Sequence, residues 1–250
     1  MINCNYSNTE STHKDIIDFV NAAKKRDPNF KVIDLGGGVN GWTSEIADMI
    51  VDINVSDTQL TLKADICQEK DYAKIISFVE LHGLFDYCIC THTLEDLYNP
   101  FPALNYMPRI ALAGVITMPT MTDELSPVQS LRWNGYIHHR WIFEFLDEKI
   151  FIIPKIRSLE VFIRSKMSSV KSTEIRFDWQ GAIPYEIFMN NYLGPDLKTV
   201  SSELKMVLGR LNEQSRGVYT FCDVYTRPSR LLMRLVRFVR MKFGIKLDGS

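Results

Sequence analysis

The chain has 250 residues, of which 46% are hydrophobic and 24% are charged, and its formal net charge at pH 7 is −1. This composition is typical of a globular protein and excludes a disordered chain. No apolar run approaches the roughly 18–20 residues that cross a bilayer, and the balanced charge argues against a general nucleic-acid binder.

The five cysteines are odd in number and contain no C-x-x-C pair, which argues against a disulfide framework. Cys88 and Cys90 lie in an apolar, strand-like run, where we expect buried thiols in a reducing compartment. The N-terminal stretch MINCNYSNTE is polar and has no signal-peptide core. These features together predict a cytoplasmic protein.

The first predicted elements are a helix and a buried strand. Residues 13–26 carry apolar side chains at helical spacing. Residues 31–42, KVIDLGGGVNGW, predict a strand that ends at Asp34, then a glycine turn, then from Gly41 the start of a helix over 43–49. Strand, glycine turn and helix form the nucleotide-binding opening of a doubly wound α/β sheet, because glycine lets a ligand approach the backbone.

Two more predicted strands each have an acidic residue at the carboxyl end. The second strand, residues 50–53, contains Asp52, and the third strand, residues 60–64, is followed by Asp65. In nucleoside-binding sheets, an acid at the tip of the second strand accepts hydrogen bonds from the ribose hydroxyls. The alternative for Asp52 is a solvated loop carboxylate.

Helices over 70–81 and 100–110 alternate with strands over 85–91 and 115–118, the last of which follows a turn at 113–114. Strands that alternate with helices form a parallel sheet, and ligands bind outside the carboxyl ends of its strands. We therefore predict an α/β fold with a doubly wound, Rossmann-like sheet and helices on both faces.

The elements beyond residue 120 are less regular. Strands at 150–153 and 174–179 are either the antiparallel sixth and seventh strands of the sheet or a small extra sheet. A turn at 192–195 precedes a helix over 197–211.

The C-terminal segment has its own charge pattern. Residues 227–246 carry seven basic residues and no acid, and apolar residues recur among them at helical spacing. This pattern predicts an amphipathic helix with a cationic face. Three interpretations stay open: docking on the acidic remainder of the chain, adsorption to an anionic membrane surface, and, least favoured, nucleic-acid binding.

Residues 30–120 resemble a class I S-adenosylmethionine-dependent methyltransferase of the type that has an S-H-x-L-E-H segment after strand four. The motifs that carry the resemblance are Asp34-x-Gly36-x-Gly38, the acids Asp52 and Asp65, the segment THTLEDL at 91–97 and the segment PRIALAGVITMP at 108–119. The resemblance implies S-adenosylmethionine as the cofactor. The following insert is similar to segments in methyltransferases of bacterial sugar and surface-glycan pathways, which implies O-methylation of a saccharide or a lipid-linked glycan.

The resemblance also implies a role for single residues. The implied cofactor contacts are Asp34, Gly36, Gly37 and Gly38 at the methionine part, Asp52 at the ribose, Asp65 and Ile66 at the adenine, and Thr91 beside the acceptor. His92 would line the gap between cofactor and acceptor, or alternatively would cap a helix. On this interpretation residues 1–226 form the methyltransferase domain, with a cofactor half at 13–120 and an acceptor-side insert at 121–180, and residues 227–250 form the basic helix.

The acceptor-side insert contains the most unusual stretch of the chain, WNGYIHHRWIF at 133–143. A histidine pKa near 6.5 suits a base that takes the proton from a hydroxyl acceptor, so His138 or His139 is the predicted base, with His92 behind them. The alternative for the pair is structural packing among aromatic residues. No metal site is expected, because adjacent histidines lack a third ligand close in sequence.

Aromatic and cationic side chains in the same stretch suit a sugar face or an anionic group on the acceptor. The predicted substrate-binding residues are Trp133, Tyr136, Arg140 and Trp141.

Two other functions stay open. The glycine turn formally matches the dinucleotide motif G-x-G-x-x-G, but Asp34 would repel a pyrophosphate, whereas it suits the ammonium group of the methionine part. A non-catalytic binding module of a glycan-assembly complex would explain two departures from the family pattern. These are Asp96 in place of histidine and the lack of lysine-proline before Gly114.

Overall fold

The computed structural model describes residues 1–129, 133–156, 163–165, 174–188, 197–213 and 219–221. The elements up to residue 124 are β1 (Ile2–Ser7), α1 (Thr9–Arg26), β2 (Val32–Leu35), β3 (Met49–Asp52), β4 (Thr61–Lys63), a 3-10 turn (Glu69–Asp71), α2 (Tyr72–His82), β5 (Phe85–Thr91), α3 (Phe101–Ile110), β6 (Ala111–Pro119) and α4 (Met121–Glu124). The described elements that follow are β7 (Trp141–Leu146), β8 (Lys149–Pro154), β9 (Ile163–Ser165), β10 (Glu174–Gln180), β11 (Tyr185–Ile187), α5 (Leu197–Glu213) and β12 (Tyr219–Phe221).

Within the described ranges, seven strands form one sheet in the order β1-β10-β6-β5-β2-β3-β4. The five strands from β4 to β6 are parallel to their neighbours, whereas β10 is antiparallel to both β6 and β1. The chain moves outward from β2 to β3 and β4 and then returns to β5 on the other side of β2. The sheet therefore has a topological switch point between β2 and β5, which is where doubly wound sheets bind ligands.

Helices cover both faces of this sheet, as the sequence predicted. Ile16 and Val20 of α1 pack with Val32 of β2 on one face. Ile75 of α2 and Met107 of α3 belong to the cluster on the other face. A strand that is buried on both faces has a continuous run of apolar residues, which explains why β2 and β5 could be predicted from the sequence.

A second, three-stranded sheet in the order β11-β8-β7 lies beside the first. Phe143 and Ile150 join the core of the main sheet, while Ile142 packs with Leu204 and Leu208 of α5 in a separate cluster. Residues 150–153 therefore belong to an extra sheet, whereas residues 174–179 form the antiparallel strand of the main sheet.

The predicted helix over 43–49 is wrong. Residues 36–48 form a series of turns, and Met49 already belongs to β3. Helical bonding is limited to one turn, because the N–H of Asp48 donates to the carbonyl of Val32 at 2.8 Å. Side chains of this connection also bond to β2: Thr43 donates to the carboxylate of Asp34, and Asp48 Oδ2 accepts from the N–H of Val32 at 2.8 Å.

Two further details differ from the sequence prediction. Residues 113–114 are not a turn but lie inside β6, paired with β5 and β10. The polar N-terminus contributes β1, which occupies the edge of the sheet beyond β10 and was not predicted.

The predicted turn at 192–195 and basic helix at 227–250 lie outside the described residues. Among the described residues, none of the helices has the length and apolar character of a transmembrane span. Four of the five cysteines are described; all four are free, and Cys88 and Cys90 are fully buried, as predicted.

Candidate functional site

The glycine turn that follows β2 closes over a buried carboxylate. Asp34 is 2% exposed and accepts a hydrogen bond from Thr43 Oγ1. A Cβ on Gly37 would lie 1.7 Å from Asp34 Oδ2, so only glycine leaves room for the carboxylate there. Burial, and to a lesser extent the charge of Asp52, raise the pKa of Asp34 to about 6, although the Thr43 hydrogen bond opposes them.

The first glycine of the turn sits at the switch point of the sheet. Gly36 has φ +88°, and a Cβ there would lie 2.3 Å from Thr93 Cγ2. Its N–H donates to the carbonyl of Val51 in β3 at 2.8 Å. The turn is therefore held between β3 and the segment that follows β5, while Gly38 has no atom within 4 Å of its Cβ position.

The other two predicted acids stand beyond the ends of neighbouring strands. Asp52 ends β3, and its Oδ1 accepts from the N–H of Asn54 at 2.6 Å. Asp65 follows β4; its Oδ1 accepts from the N–H of Cys67 at 2.9 Å, and Tyr98 donates to its Oδ2 at 3.4 Å. Ile66 beside it is buried. Asp34, Asp52 and Asp65 thus lie along one edge of the sheet; their contact with a cofactor stays a prediction.

A cleft of about 290 Å³ opens at the same carboxyl edge of the sheet, beyond the ends of β5 and β6. Thr91 ends β5, and His92 is the next residue. The cleft is lined by Thr9, His92, Glu95, Asp96, Pro119, Gln129, Tyr136, His138, His139 and Glu174. Segments that are distant in sequence therefore meet immediately after the fourth parallel strand.

His92 lies between two buried carboxylates. Its Nε2 is 2.7 Å from Glu174 Oε2, and its Nδ1 is 3.3 Å from Glu95 Oε1. Burial lowers the pKa of His92, but the hydrogen bonds and charges of Glu174 and Glu95 outweigh burial and raise it to about 9. The backbone of His92 is left-handed, with φ 48°, a conformation that is uncommon for a non-glycine residue.

This geometry disfavours His92 as a base at neutral pH. A histidine with a pKa of about 9 is protonated at pH 7, so it has no free lone pair to accept a proton. His92 can instead donate a hydrogen bond or neutralise negative charge in the cleft.

The two predicted bases occupy the opposite wall. His139 is 7% exposed, and its Nδ1 is 2.5 Å from Oε1 of the buried Glu124. His138 is 55% exposed. The Nε2 atoms of both rings are 3.7 Å from Asp96 Oδ1. Tyr136 stacks on His139 with ring centroids 4.6 Å apart.

The four predicted substrate-binding residues separate into two groups. Tyr136 lines the cleft, whereas Trp133, Arg140 and Trp141 are not among the described residues that line it. Trp141 packs against Phe101, and its Nε1 donates to the carbonyl of Leu97 at 2.8 Å. Its ring therefore packs against the hydrophobic core of the main sheet. Substrate contact by these three residues stays a prediction.

Sequence reasoning did not single out Glu174 and Glu124, and it favoured an electrostatic role for Glu95 in the first turn of the next helix. All three are at most 2% exposed. A buried acid has no distinctive spacing in a sequence, and the partners of these residues lie on other elements. Only the strand order brings Glu174, at the start of β10, next to His92.

No protein-family model matches the sequence, and no curated protein matches it. Similar solved structures include the N-terminal domain of EvdMO1 in the presence of SAH and D-fucose (14% identity, TM-score 0.29, covering 66% of this chain and 82% of that chain). The same domain with SAH bound has 13% identity and TM-score 0.29, and covers 66% and 80%. EvdMO1 itself has 15% identity and TM-score 0.28, and covers 66% and 40%. TM-scores this low do not demonstrate a common fold, and the fold assignment rests on the strand order described above.

Proposed function

We propose that this chain is an S-adenosylmethionine-dependent methyltransferase that methylates a hydroxyl group of a saccharide or lipid-linked glycan. The observation that supports the proposal most is the placement of three acids along one edge of the sheet. Asp34 lies under the glycine turn at the switch point, and Asp52 and Asp65 stand at the ends of the next two strands.

This placement suits the chemical groups of the cofactor. The ammonium group of its methionine part needs a carboxylate, and Asp34 is a carboxylate whose pKa is raised because it is buried without a cation. Asp52 has the two oxygens that can accept both ribose hydroxyls. The buried Ile66 and the exposed ring of Tyr98 offer apolar surface beside Asp65 for the adenine.

The structure disfavours the nicotinamide alternative. Dinucleotide-binding folds place the pyrophosphate at the N-terminus of the helix that follows the glycine turn. Residues 36–48 form turns rather than a helix, so that array of free N–H groups is lacking in this part of the described chain.

In the proposed reaction, a lone pair of the acceptor oxygen forms a bond to the methyl carbon. The bond between that carbon and the sulfonium sulfur breaks, its electron pair stays on sulfur, and the hydroxyl proton leaves to a group or water in the cleft. The protein mainly has to align the two reactants and exclude water. The cleft begins at His92, directly after β5, next to the edge that carries the acids.

Calorimetric titration with S-adenosylhomocysteine tests the cofactor site. We expect one binding site in the full chain, and at least tenfold weaker binding in Asp52→Ala, because the ribose hydroxyls lose their acceptor. Glu80→Ala is the matched control, since it removes one exposed carboxylate from α2, away from the edge. Absence of binding by a folded wild-type chain, as judged from its melting curve, contradicts the proposal.

The acceptor class needs a separate measurement. Transfer of a labelled methyl group from S-adenosylmethionine to glycan extracts, but not to protein or nucleic acid, would support a saccharide acceptor. Cofactor binding without transfer to any extract would favour the non-catalytic binding module instead.

We also propose that the basic segment at 227–246 contacts an anionic membrane surface. Each basic residue near such a surface contributes about 1 kcal/mol. We expect the full chain to sediment with anionic vesicles, and we expect added salt to reduce the fraction of the protein that sediments with them. If a chain that ends at Thr226 sediments equally well, membrane contact by this segment is excluded.

A further inference from the structure

We propose that Asp96, His138 and His139 form a binding site for a divalent transition-metal ion, such as Zn²⁺, at the mouth of the cleft. The sequence argued against a metal because two adjacent histidines had no third ligand near them. The fold supplies that ligand from the segment after β5, which lies far from the histidines in sequence.

The ligand atoms already lie close to coordination geometry. Asp96 Oδ1 is 3.7 Å from Nε2 of each histidine, and all three ligand atoms lie within 4.8 Å of one another. Ligands of a tetrahedral zinc ion lie about 2.0–2.1 Å from the metal and hence roughly 3.4 Å apart. Asp96 and His138 are 43% and 55% exposed, so they can close this small difference without disturbing the core.

The more buried ligand is held in the orientation that a metal requires. His139 Nδ1 lies 2.5 Å from Glu124 Oε1, and a carboxylate can only accept, so the neutral imidazole carries its proton on Nδ1 and its lone pair on Nε2. Glu124 also bonds Lys155, whose Nζ donates to the carbonyl of Tyr136 at 2.7 Å. A carboxylate that fixes the tautomer of a histidine is the usual support of a metal-bound imidazole.

Charge and hydrogen bonding in the cleft also point to a missing cation. Among the described residues, its lining includes three carboxylates, those of Asp96, Glu95 and Glu174, and one cation, His92. Glu95 is 1% exposed, and its Oε2 has no hydrogen-bond partner. A dication balances the two excess negative charges, and a water or hydroxyl bound to it can donate to Glu95.

Two imidazole nitrogens and one carboxylate oxygen favour zinc, copper, iron or nickel over magnesium and calcium, which prefer oxygen ligands. Three protein ligands leave a coordination position open, as in catalytic zinc sites. If the proposed function holds, the acceptor hydroxyl takes that position, and the metal lowers its pKa so that its proton passes to water at the mouth. The alkoxide oxygen then attacks the methyl carbon as described above.

The test is metal binding by the full chain, measured without any acceptor. After removal of metal with a chelator, we expect calorimetry to show one Zn²⁺ site, and Co²⁺ to give visible absorption bands of a site with nitrogen ligands. Mg²⁺ should not compete. His138→Gln should weaken Zn²⁺ binding at least tenfold, whereas His82→Gln, an exposed histidine on α2, should leave it unchanged.

A supporting variant is Glu124→Gln, which keeps all three ligands but weakens the orientation of His139. Loss of such a support typically costs 10–100-fold in metal affinity. Equal Zn²⁺ affinity in wild type and His138→Gln, or no Zn²⁺ binding at all, overturns the metal site. Binding of S-adenosylhomocysteine to the metal-free chain is measured alongside, so failure of the metal site is distinguished from failure of the proposed function.

Discussion

Asp34 combines two properties that conflict in the absence of a ligand. It is 2% exposed, and burial raises its pKa to about 6, so at pH 7 the folded chain contains an ionised carboxylate in an unfavourable environment. A group whose pKa is raised on folding contributes full stability below its unfolded pKa and loses it as the pH rises through the folded value.

We therefore expect Asp34→Asn to raise the free energy of unfolding of the ligand-free chain at pH 7. A shift of about two pKa units corresponds to about 3 kcal/mol, and we expect a gain of about 1–2 kcal/mol because the new amide NH₂ packs against Gly37 without a partner. The gain should develop between pH 4 and pH 6; below pH 4, where only the cost of the amide group is left, the variant should be less stable than wild type by about 1–2 kcal/mol, as measured by denaturant unfolding. The same variant should lose S-adenosylhomocysteine binding.

Asp18→Asn is the control for this experiment, because Asp18 is an exposed carboxylate on α1. Its effect on unfolding should stay within about 0.5 kcal/mol at every pH. If Asp34→Asn destabilises the ligand-free chain throughout the pH range, the ionised carboxylate is favourably solvated. The argument that Asp34 requires the ammonium group of a ligand then fails.

The contribution of His92 to stability depends on pH in the same direction but over a higher pH range. Its pKa is about 9 in the folded chain, against 6.5 for an ordinary histidine, so its stabilising effect is complete below pH 6.5 and is lost as the pH rises through 9. His92→Gln should lower the free energy of unfolding by about 2 kcal/mol at pH 6, a value reduced from the full shift because the ring is 33% exposed. The difference from wild type should shrink above pH 9.

Chemical unfolding at pH 6 and pH 9.5 measures this difference, and His82→Gln should change stability little at either pH. A constant difference at both pH values would mean that His92 acts through packing alone. It would also return His92 to the set of candidate bases.

At the scale of single elements, the strands that are buried on both faces could be predicted and the connections could not. The strand over 85–91 agrees with β5, because an apolar run with polar ends has few other interpretations. The helix over 43–49 was wrong because helical bonding stops after one turn: the N–H of Asp48 donates to the carbonyl of Val32 in β2 at 2.8 Å instead of continuing the helix. β1 had a signal in the alternation of apolar and polar residues over 2–7, but it was too short to outweigh its polar composition.

Gly114 illustrates why an apparent turn was in fact a strand. It lies inside β6, and a Cβ there would be 2.3 Å from the carbonyl oxygen of Cys88 and 2.7 Å from Cζ2 of Trp179. The glycine therefore makes room for a tryptophan of the neighbouring strand rather than for a change of direction.

Gly114→Ala should therefore destabilise the chain by about 2–3 kcal/mol, because strand and ring must move apart. Gly209→Ala is the matched control: Gly209 lies in α5 with no atom within 4 Å of its Cβ position, so alanine should stabilise by about 0.5–1 kcal/mol. The melting temperatures of the two variants, each compared with that of the wild type, measure these effects. If both raise the melting temperature, the approach of Trp179 to Gly114 is not as close as described.

At the scale of the whole molecule, the placement of Asp34, Asp52 and Asp65 along one edge of the sheet was predictable, because each lies at or just beyond the carboxyl end of its own strand. The cleft was not, since it combines Glu95, Glu174, the histidine pair and Thr9 from α1, and nothing local links them. Sequence reasoning found the histidines but neither the carboxylates that hold them nor the third candidate ligand. The strand order brings one of these carboxylates into the cleft, because β10 is inserted beside β6 and places Glu174 next to His92.

β1 completes this arrangement from the outside. Ile2–Ser7 pairs with β10 along its whole length, and Tyr6 bonds Glu144 of β7. Without β1, the edge of β10 would expose unpaired backbone groups, and the start of α1 would lose the contact of Thr12 with Ser7.

Removal of residues 1–7 should lower the unfolding free energy by about 3–5 kcal/mol, which for a chain of this size lowers the melting temperature by roughly 10 °C. The truncated chain should also self-associate through the freed edge, which light scattering would detect. Asn3→Thr with Asn5→Thr is the control, because it keeps the strand and replaces two exposed residues by ones that favour β structure. A truncated chain as stable and as monodisperse as the control would mean that β10 holds Glu174 against His92 without help from β1.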